Sequence, residues 1–254
     1  MFGYGDYHGW IEKPFHVHAG DGFAKIYMAL HPFAHLLGIE PQSTTAFDFR
    51  DCQPDSPVYF RVRNRQTGPN AEVEDICTIL KLFGTGHSWG SVATGSGLSS
   101  FANVYRAINS QFNRLRDQYV DKNSANRLMR YVNDHRLIFP DEDRMSVFHE
   151  IAIGNLYKQL GVEMIVVGDQ HDNTGMIPVD SLLDPRRSVE DIADSPMASF
   201  SHDPDKKMLT VSDYNNQYSL ICLSPDASGI VDPSTQIEGF WADVETDAEW
   251  WTTV

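Results

Sequence analysis

The stretch from Pro140 to Gly168 constrains the fold more than any other part of the chain. Asp141 is suited to cap a helix, and Glu142 and Asp143 favour the positive end of its dipole. Met145, Phe148, Ile151, Ala152, Leu156 and Leu160 recur at helical spacing and are expected to form its buried side, with Gly161 as the stop. Met164-Ile165-Val166-Val167 follows at once, a continuous apolar run bounded by Gly168 that reads as a fully buried strand. A helix feeding straight into a buried strand must lie against that strand's sheet, so the fold class is α/β or α+β.

The rest of the chain is read around that unit. A short helix is expected over residues 23–37, a half-exposed strand over 58–63, and a helix over 71–83 with Val73, Ile76, Cys77, Leu80 and Phe83 on one face. Residues 84–97 contain five glycines and are expected to be loop or tight turns. Ser99 or Ser100 can cap a long helix whose stripe is Phe101, Tyr105, Ile108, Phe112, Leu115 and Tyr119. A further helix is expected over 124–135 with Leu128, Met129 and Val132 inward. Residues 172–207 carry Pro178, Pro185, Pro196 and Pro204 and read mainly as loop. Residues 208–211 and 218–223 read as a C-terminal antiparallel strand pair joined by a turn at 213–216. The expected architecture is one domain over 1–254, a mixed sheet packed with several core helices.

Charge narrows the partners. A formal net charge of -15 repels phosphate backbones and anionic lipid, so neither nucleic acid nor membrane is expected. Residues 101–136 carry seven basic and three acidic side chains, whereas residues from Met208 onward carry eight acidic and none basic. No run approaches the roughly 20 apolar residues of a membrane helix, and the first residues lack the basic and apolar regions of a signal peptide. Cys52, Cys77 and Cys222 are widely spaced and odd in number, so small buried thiols in a reducing cytoplasm are expected.

Three constellations could carry function. Gly86-His87-Ser88-Trp89-Gly90 has the G-x-S-x-G form, and Ser88, then Asp169 or Asp172, then His202 follow in nucleophile, acid, base order. These fragments resemble those of α/β-hydrolases. The resemblance implies Ser88 as nucleophile, His202 as base, an aspartate fixing its tautomer, and the Trp89 N–H as an oxyanion donor. Against it, residues 99–164 read as helices with no strand between them, and a helix over 71–83 would place Ser88 after a helix end.

His16 and His18, followed by Gly20-Asp21, resemble the first ligand element of amidohydrolases, which implies a divalent metal. Asp169, His171 and Asp172 could complete such a site, and His31 and His35 would share a helical face. His149-Glu150 lacks the second histidine of H-E-x-x-H, and no phosphate-binding or dinucleotide motif occurs, so no other cofactor is expected.

The third constellation is the acidic, aromatic end. Asp243, Glu245, Asp247 and Glu249 alternate along an expected extended segment beside Trp241, Trp250 and Trp251. Aromatic anchors ringed by charge suit capture of a basic protein, and small acidic immunity proteins share this charge and size. No complete reactive constellation is apparent, so a non-catalytic, cytoplasmic protein-binding role is the preferred reading. A serine hydrolase using Ser88 and a metal-dependent hydrolase are the alternatives.

Overall fold

The computed structural model describes residues 22–36, 80, 84–140, 142, 145–168, 174–184, 200–212, 216–247 and 250–252. In chain order the first described elements are β1 (Lys25–Leu30), β2 (Phe33–Leu36), β3 (Gly84–His87), α1 (Trp89–Ser96), α2 (Phe101–Gln111), α3 (Lys122–Asp134) and β4 (Leu137–Ile138). They are followed by α4 (Glu150–Gln159), β5 (Met164–Gly168), β6 (Thr174–Pro178), α5 (Asp180–Leu183), β7 (Phe200–His202), β8 (Met208–Ser212), β9 (Tyr218–Leu223) and β10 (Gly239–Trp241). The architecture is α+β. The chain divides into two compact units, residues 1–31 with 141–253, and residues 32–140.

The first unit is a seven-stranded sheet in the order β10-β1-β9-β8-β7-β5-β6, and every pairing in it is antiparallel. The expected C-terminal pair is there as β8 and β9, in register from Met208 opposite Leu223 to Ser212 opposite Ser219. The central strands are buried on both faces: every residue of β9 is buried, as is every residue of β1 after Lys25. On one face, Tyr27, Ile165, Val167 and Ile221 pack with Ile153, Leu156 and Tyr157 of α4 in a single apolar cluster. Each such side chain removed from water contributes about 1.5–3 kcal/mol before entropy is charged against it.

Several expectations change here. Within the expected helix at 23–37, the described residues 23–36 are not helical but supply β1 and β2, because a run such as Ile26 to Leu30 has no period of its own and its neighbours β9 and β10 decide its conformation. The helix expected from Asp141 begins at Glu150, and Met145 is buried ahead of it; Asp141 and Asp143 lie outside the described residues. Its inward face is Ile153, Leu156 and Tyr157, which turns Ile151 outward to 44% exposure, since residues two apart on a helix do not share a face. β5 is not fully buried: Met164 is exposed and Val166 half-buried. Part of the region expected as loop holds β6, α5 and β7, where pairing with β5 and β8 outweighs weak local signals.

The second unit pairs a three-stranded sheet, β3-β2-β4, with α1, α2 and α3. The glycine-rich residues expected as loop form β3 and α1. Ser88 caps α1, and burial of Trp89, Val92, Ala93 and Ser96 outweighs the helix penalty of Gly90 and Gly95. Gly95 lets the Tyr131 ring of α3 pack close, because a Cβ there would overlap that ring and force it to move. α2 is capped by Ser100, whose Oγ accepts from the Asn103 N–H at 3.2 Å. It ends at Gln111, before Phe112, Leu115 and Tyr119 can extend the stripe, because Asn113 takes a left-handed φ of 56°. α3 starts two residues earlier than expected. Its cap Asp121 accepts from the Ser124 N–H and hydroxyl at 3.0 and 2.7 Å, and these bonds hold its carboxyl below the usual range. The expected strand at 58–63 and most of the helix expected at 71–83 lie outside the described residues. Among the described residues, no helix is long and apolar enough to cross a membrane.

Candidate functional site

Ser88 stands between a strand and a helix, the context that a G-x-S-x-G turn needs, but its own geometry is that of a helix cap. Its backbone is ordinary extended chain at φ −69° and ψ 148°, without the strain of a nucleophile turn. Its Oγ accepts from the Ser91 N–H at 3.1 Å and donates to Ser91 Oγ at 2.8 Å. The neighbouring imidazole, His87, hydrogen-bonds Tyr131 Oη through Nε2 at 3.3 Å. His202, at the end of β7 in the other unit, donates from Nδ1 to the Asp203 carbonyl at 2.8 Å and stacks on Phe200. Asp169 and Asp172 lie outside the described residues.

Of the expected metal ligands, His16, His18, Asp169 and His171 also lie outside the described residues. His31 and His35 do not share a helical face. His35 is on β2, and His31 follows β1 and is wholly buried. Among the described residues no three His, Cys, Asp or Glu side chains come together as a metal site would require.

His31 belongs instead to a buried polar cluster that the sequence did not reveal. Its Nε2 hydrogen-bonds Ser219 Oγ at 2.7 Å, and Ser219 in turn bonds Ser212 Oγ at 2.7 Å. The His149 ring meets His31 edge to face, with centroids 5.7 Å apart. Burial, and then the neighbouring His31, push His149 down to about pKa 3, although a hydrogen bond with the Leu30 backbone opposes the shift. Among the described residues, His149 Nδ1 and Ser146 Oγ are buried with no hydrogen-bond partner. Farther along the same sheet face, Tyr157 Oη bonds Ser201 Oγ at 2.9 Å, and Ser201 bonds Thr210 Oγ1 at 2.6 Å. These groups are buried and bonded to one another within the sheet unit.

The accessible chemistry lies at the C-terminal end of the sheet unit. β10 brings Trp241 to the edge, 37% exposed, where its ring meets Tyr27 edge-on at 5.1 Å and Lys25 Nζ sits 5.5 Å from its centroid. The residues after it do not form the alternating extended segment that was expected. Asp243 Oδ1 accepts from the Glu245 N–H at 3.0 Å and from Thr246 Oγ1 at 2.8 Å, while Thr246 Oγ1 accepts from the Asp243 N–H at 3.0 Å. This closed turn follows from an aspartate that hydrogen-bonds backbone two residues on. It leaves Asp243 and Glu245 exposed and holds Val244 out at 69% exposure.

Asp247 is half-buried, and its carbonyl accepts from the Trp250 N–H at 3.2 Å. Trp250 packs on Phe240 with centroids 4.9 Å apart, and Trp251 is buried. Two of the three expected tryptophans therefore anchor the turn, and Trp241 faces outward. Glu249 lies outside the described residues. Below the edge, Tyr27 donates to the Ile237 carbonyl at 2.6 Å, and burial, with Asp232 and Glu238 nearby, pushes its phenol up to about 12.

No curated protein and no solved structure matches the chain. A family model does match, over residues 13–252, which runs across both units. The chain belongs to the DUF2711 family, described as proteins of unknown function.

Proposed function

We propose that this chain acts by binding a basic protein through the surface formed by β10 and the turn after it, in the manner of an acidic immunity or inhibitor protein. The observation that carries the reading is the exposure of Trp241 and Val244 beside exposed Asp243 and Glu245. An apolar centre with an acidic border is the arrangement of a hot spot and its rim. The turn is fixed by its own hydrogen bonds, so little ordering is needed when a partner docks. The basic-free residues from 208 onward add a field that speeds capture of a positive partner. The absence of strain at Ser88 and its local bonds to Ser91 support a capping role over nucleophilic attack. In this reading the chain works in a reducing cytoplasm, consistent with the free, buried thiol of Cys222.

A photo-crosslinking residue placed at Val244, in cells of the native host, tests this. It is expected to trap a defined basic protein that the same residue placed at exposed Asn133 does not trap, and the double change Asp243→Lys, Glu245→Lys is expected to abolish the adduct. Identical adducts at positions 244 and 133, or an adduct unchanged by the charge reversal, would overturn the reading.

A further inference from the structure

We infer that the partner docks as an extended basic segment that adds a strand to the outer edge of β10. The inference rests on the binding role proposed above and specifies its geometry. β10 is the first strand in the sheet order, with β1 on its inner side. The Leu30 N–H donates to the Glu238 carbonyl at 3.0 Å and the Ala242 N–H to the Ile26 carbonyl at 2.9 Å. With Phe240 opposite Met28, the even-numbered residues therefore bond inward to β1. Alternation then turns the N–H and C=O of Gly239 and Trp241 outward. Among the described residues no strand pairs that outer side.

Open backbone groups on an edge strand are a template for another chain, and strand addition is an established mode of peptide recognition. The opposite edge of the sheet differs. The Val179 N–H donates to the Glu163 carbonyl at 2.8 Å, which places Thr174, Met176 and Pro178 outward on β6. Pro178 supplies no donor there. At β10 no proline interrupts the outward donors.

Charge selects the occupant. A strand laid along β10 would run past exposed Asp243 and Glu245, with Lys25 on the Trp241 ring as the neighbouring cation; the sequence from 208 onward contributes eight acidic and no basic side chains. Lysines or arginines on alternate positions of the incoming strand meet these carboxylates, and apolar residues between them meet Trp241 and Val244.

Calorimetry with the full chain and three acetylated peptides tests the geometry: one alternates lysine and valine, one replaces lysine by glutamate, and one N-methylates alternate backbone amides. The lysine–valine peptide is expected to bind, and each of the other two to bind at least about tenfold more weakly. In the protein, Trp241→Ala keeps the outward N–H and Trp241→Pro removes it, so the proline variant is expected to lose at least about tenfold more affinity than the alanine variant. Equal binding of the N-methylated peptide, or equal loss in the two variants, overturns strand addition. If Trp241→Pro fails to fold, the peptide comparison decides alone. A Val244 adduct in cells together with no peptide binding would reject this geometry while leaving the binding role in place; loss of both rejects both.

Discussion

His149 ties the stability of the sheet unit to pH in a way that the structure makes quantitative. The imidazole is buried beside His31, and its pKa falls from 6.5 to about 3 in the folded chain. A depressed folded pKa means that the folded state prefers the neutral ring. The corresponding stability is complete above about pH 6.5 and is lost as pH falls from there toward about 3. Within that window the unfolded chain binds about one proton more, so stability falls by about 1.4 kcal/mol per pH unit. At pH 5 the loss reaches about 2 kcal/mol, a large share of the roughly 5–15 kcal/mol that holds a domain together. The perturbation is His149→Gln, which places an uncharged amide where the ring reaches the Leu30 backbone. Urea unfolding of both proteins between about pH 8 and pH 5 reports on this residue together with its coupling to His31, because the other titrating groups are common to both. The stability difference between them is expected to shift by about 2 kcal/mol in favour of the variant as pH falls. A difference that stays constant over that range would refute the reasoning.

Ser88→Ala is expected to lower stability by about 1 kcal/mol through the lost cap, and a fluorophosphonate probe is expected not to label the wild-type chain at Ser88; labelling that disappears in the variant would restore the hydrolase reading. In a Cys52→Ser, Cys77→Ser background, Cys222 is expected to react with an aromatic disulfide reagent only as the chain unfolds, because burial pushes its thiol up to about 12; immediate reaction in native buffer would contradict that. Tyr157→Phe removes a buried 2.9 Å bond while Ser201 keeps Thr210, so a loss of about 1 kcal/mol in urea unfolding is expected, and no change would show the hydroxyl to be idle. Gly239→Ala would put a Cβ 1.9 Å from the Met28 carbonyl oxygen, a backbone atom that cannot swing aside. β10 is expected to separate from β1, with a loss of about 1–3 kcal/mol and a red shift in tryptophan emission; crosslinking at Val244 that survived this change would count against the proposed surface.

What the sequence revealed and what it hid follow from the range of the interactions concerned. The β8–β9 pair was legible because each strand is an apolar run and the residues between them favour a turn. The N-terminal cap of α2 and the body of α3 were legible because their signals sit within one helical turn. β1 was not, because pairing partners far along the chain, Tyr218–Leu223 and Gly239–Trp241, decide its conformation. The end of α2 was hidden in one residue, Asn113, whose left-handed backbone cuts short a stripe that composition alone would continue. In residues 84–97 the glycine count suggested loop, whereas Ser88 and the buried side of Trp89 outweighed it. The acidic end was found by composition, but its shape was misjudged, because Asp243 bonds its own backbone and folds the segment into a turn. The pairing of His31 with His149 had no local signal; the two meet only once β1 lies in the sheet beside the turn that leads into α4.

The acidic border of β10 also bears on why an open edge is tolerable there. A strand edge that offers unpaired donors and acceptors invites a second copy of the same chain as readily as a partner. Pairing two β10 edges would bring Asp243 and Glu245 of one copy toward the like charges of the other, and each copy carries a net charge of -15. Like charges across a contact oppose association, whereas a basic strand at the same edge relieves the repulsion that the acids exert on one another. In the proposed reading the carboxylates therefore have two roles: they discourage self-pairing and favour a positive guest. The two effects separate experimentally, because Asp243→Asn with Glu245→Gln removes the repulsion without creating an attraction. That variant is expected to self-associate in sedimentation at concentrations where the native chain does not, and to bind the lysine–valine peptide more weakly. A variant that stayed as dispersed as the native chain would show that something other than charge guards this edge.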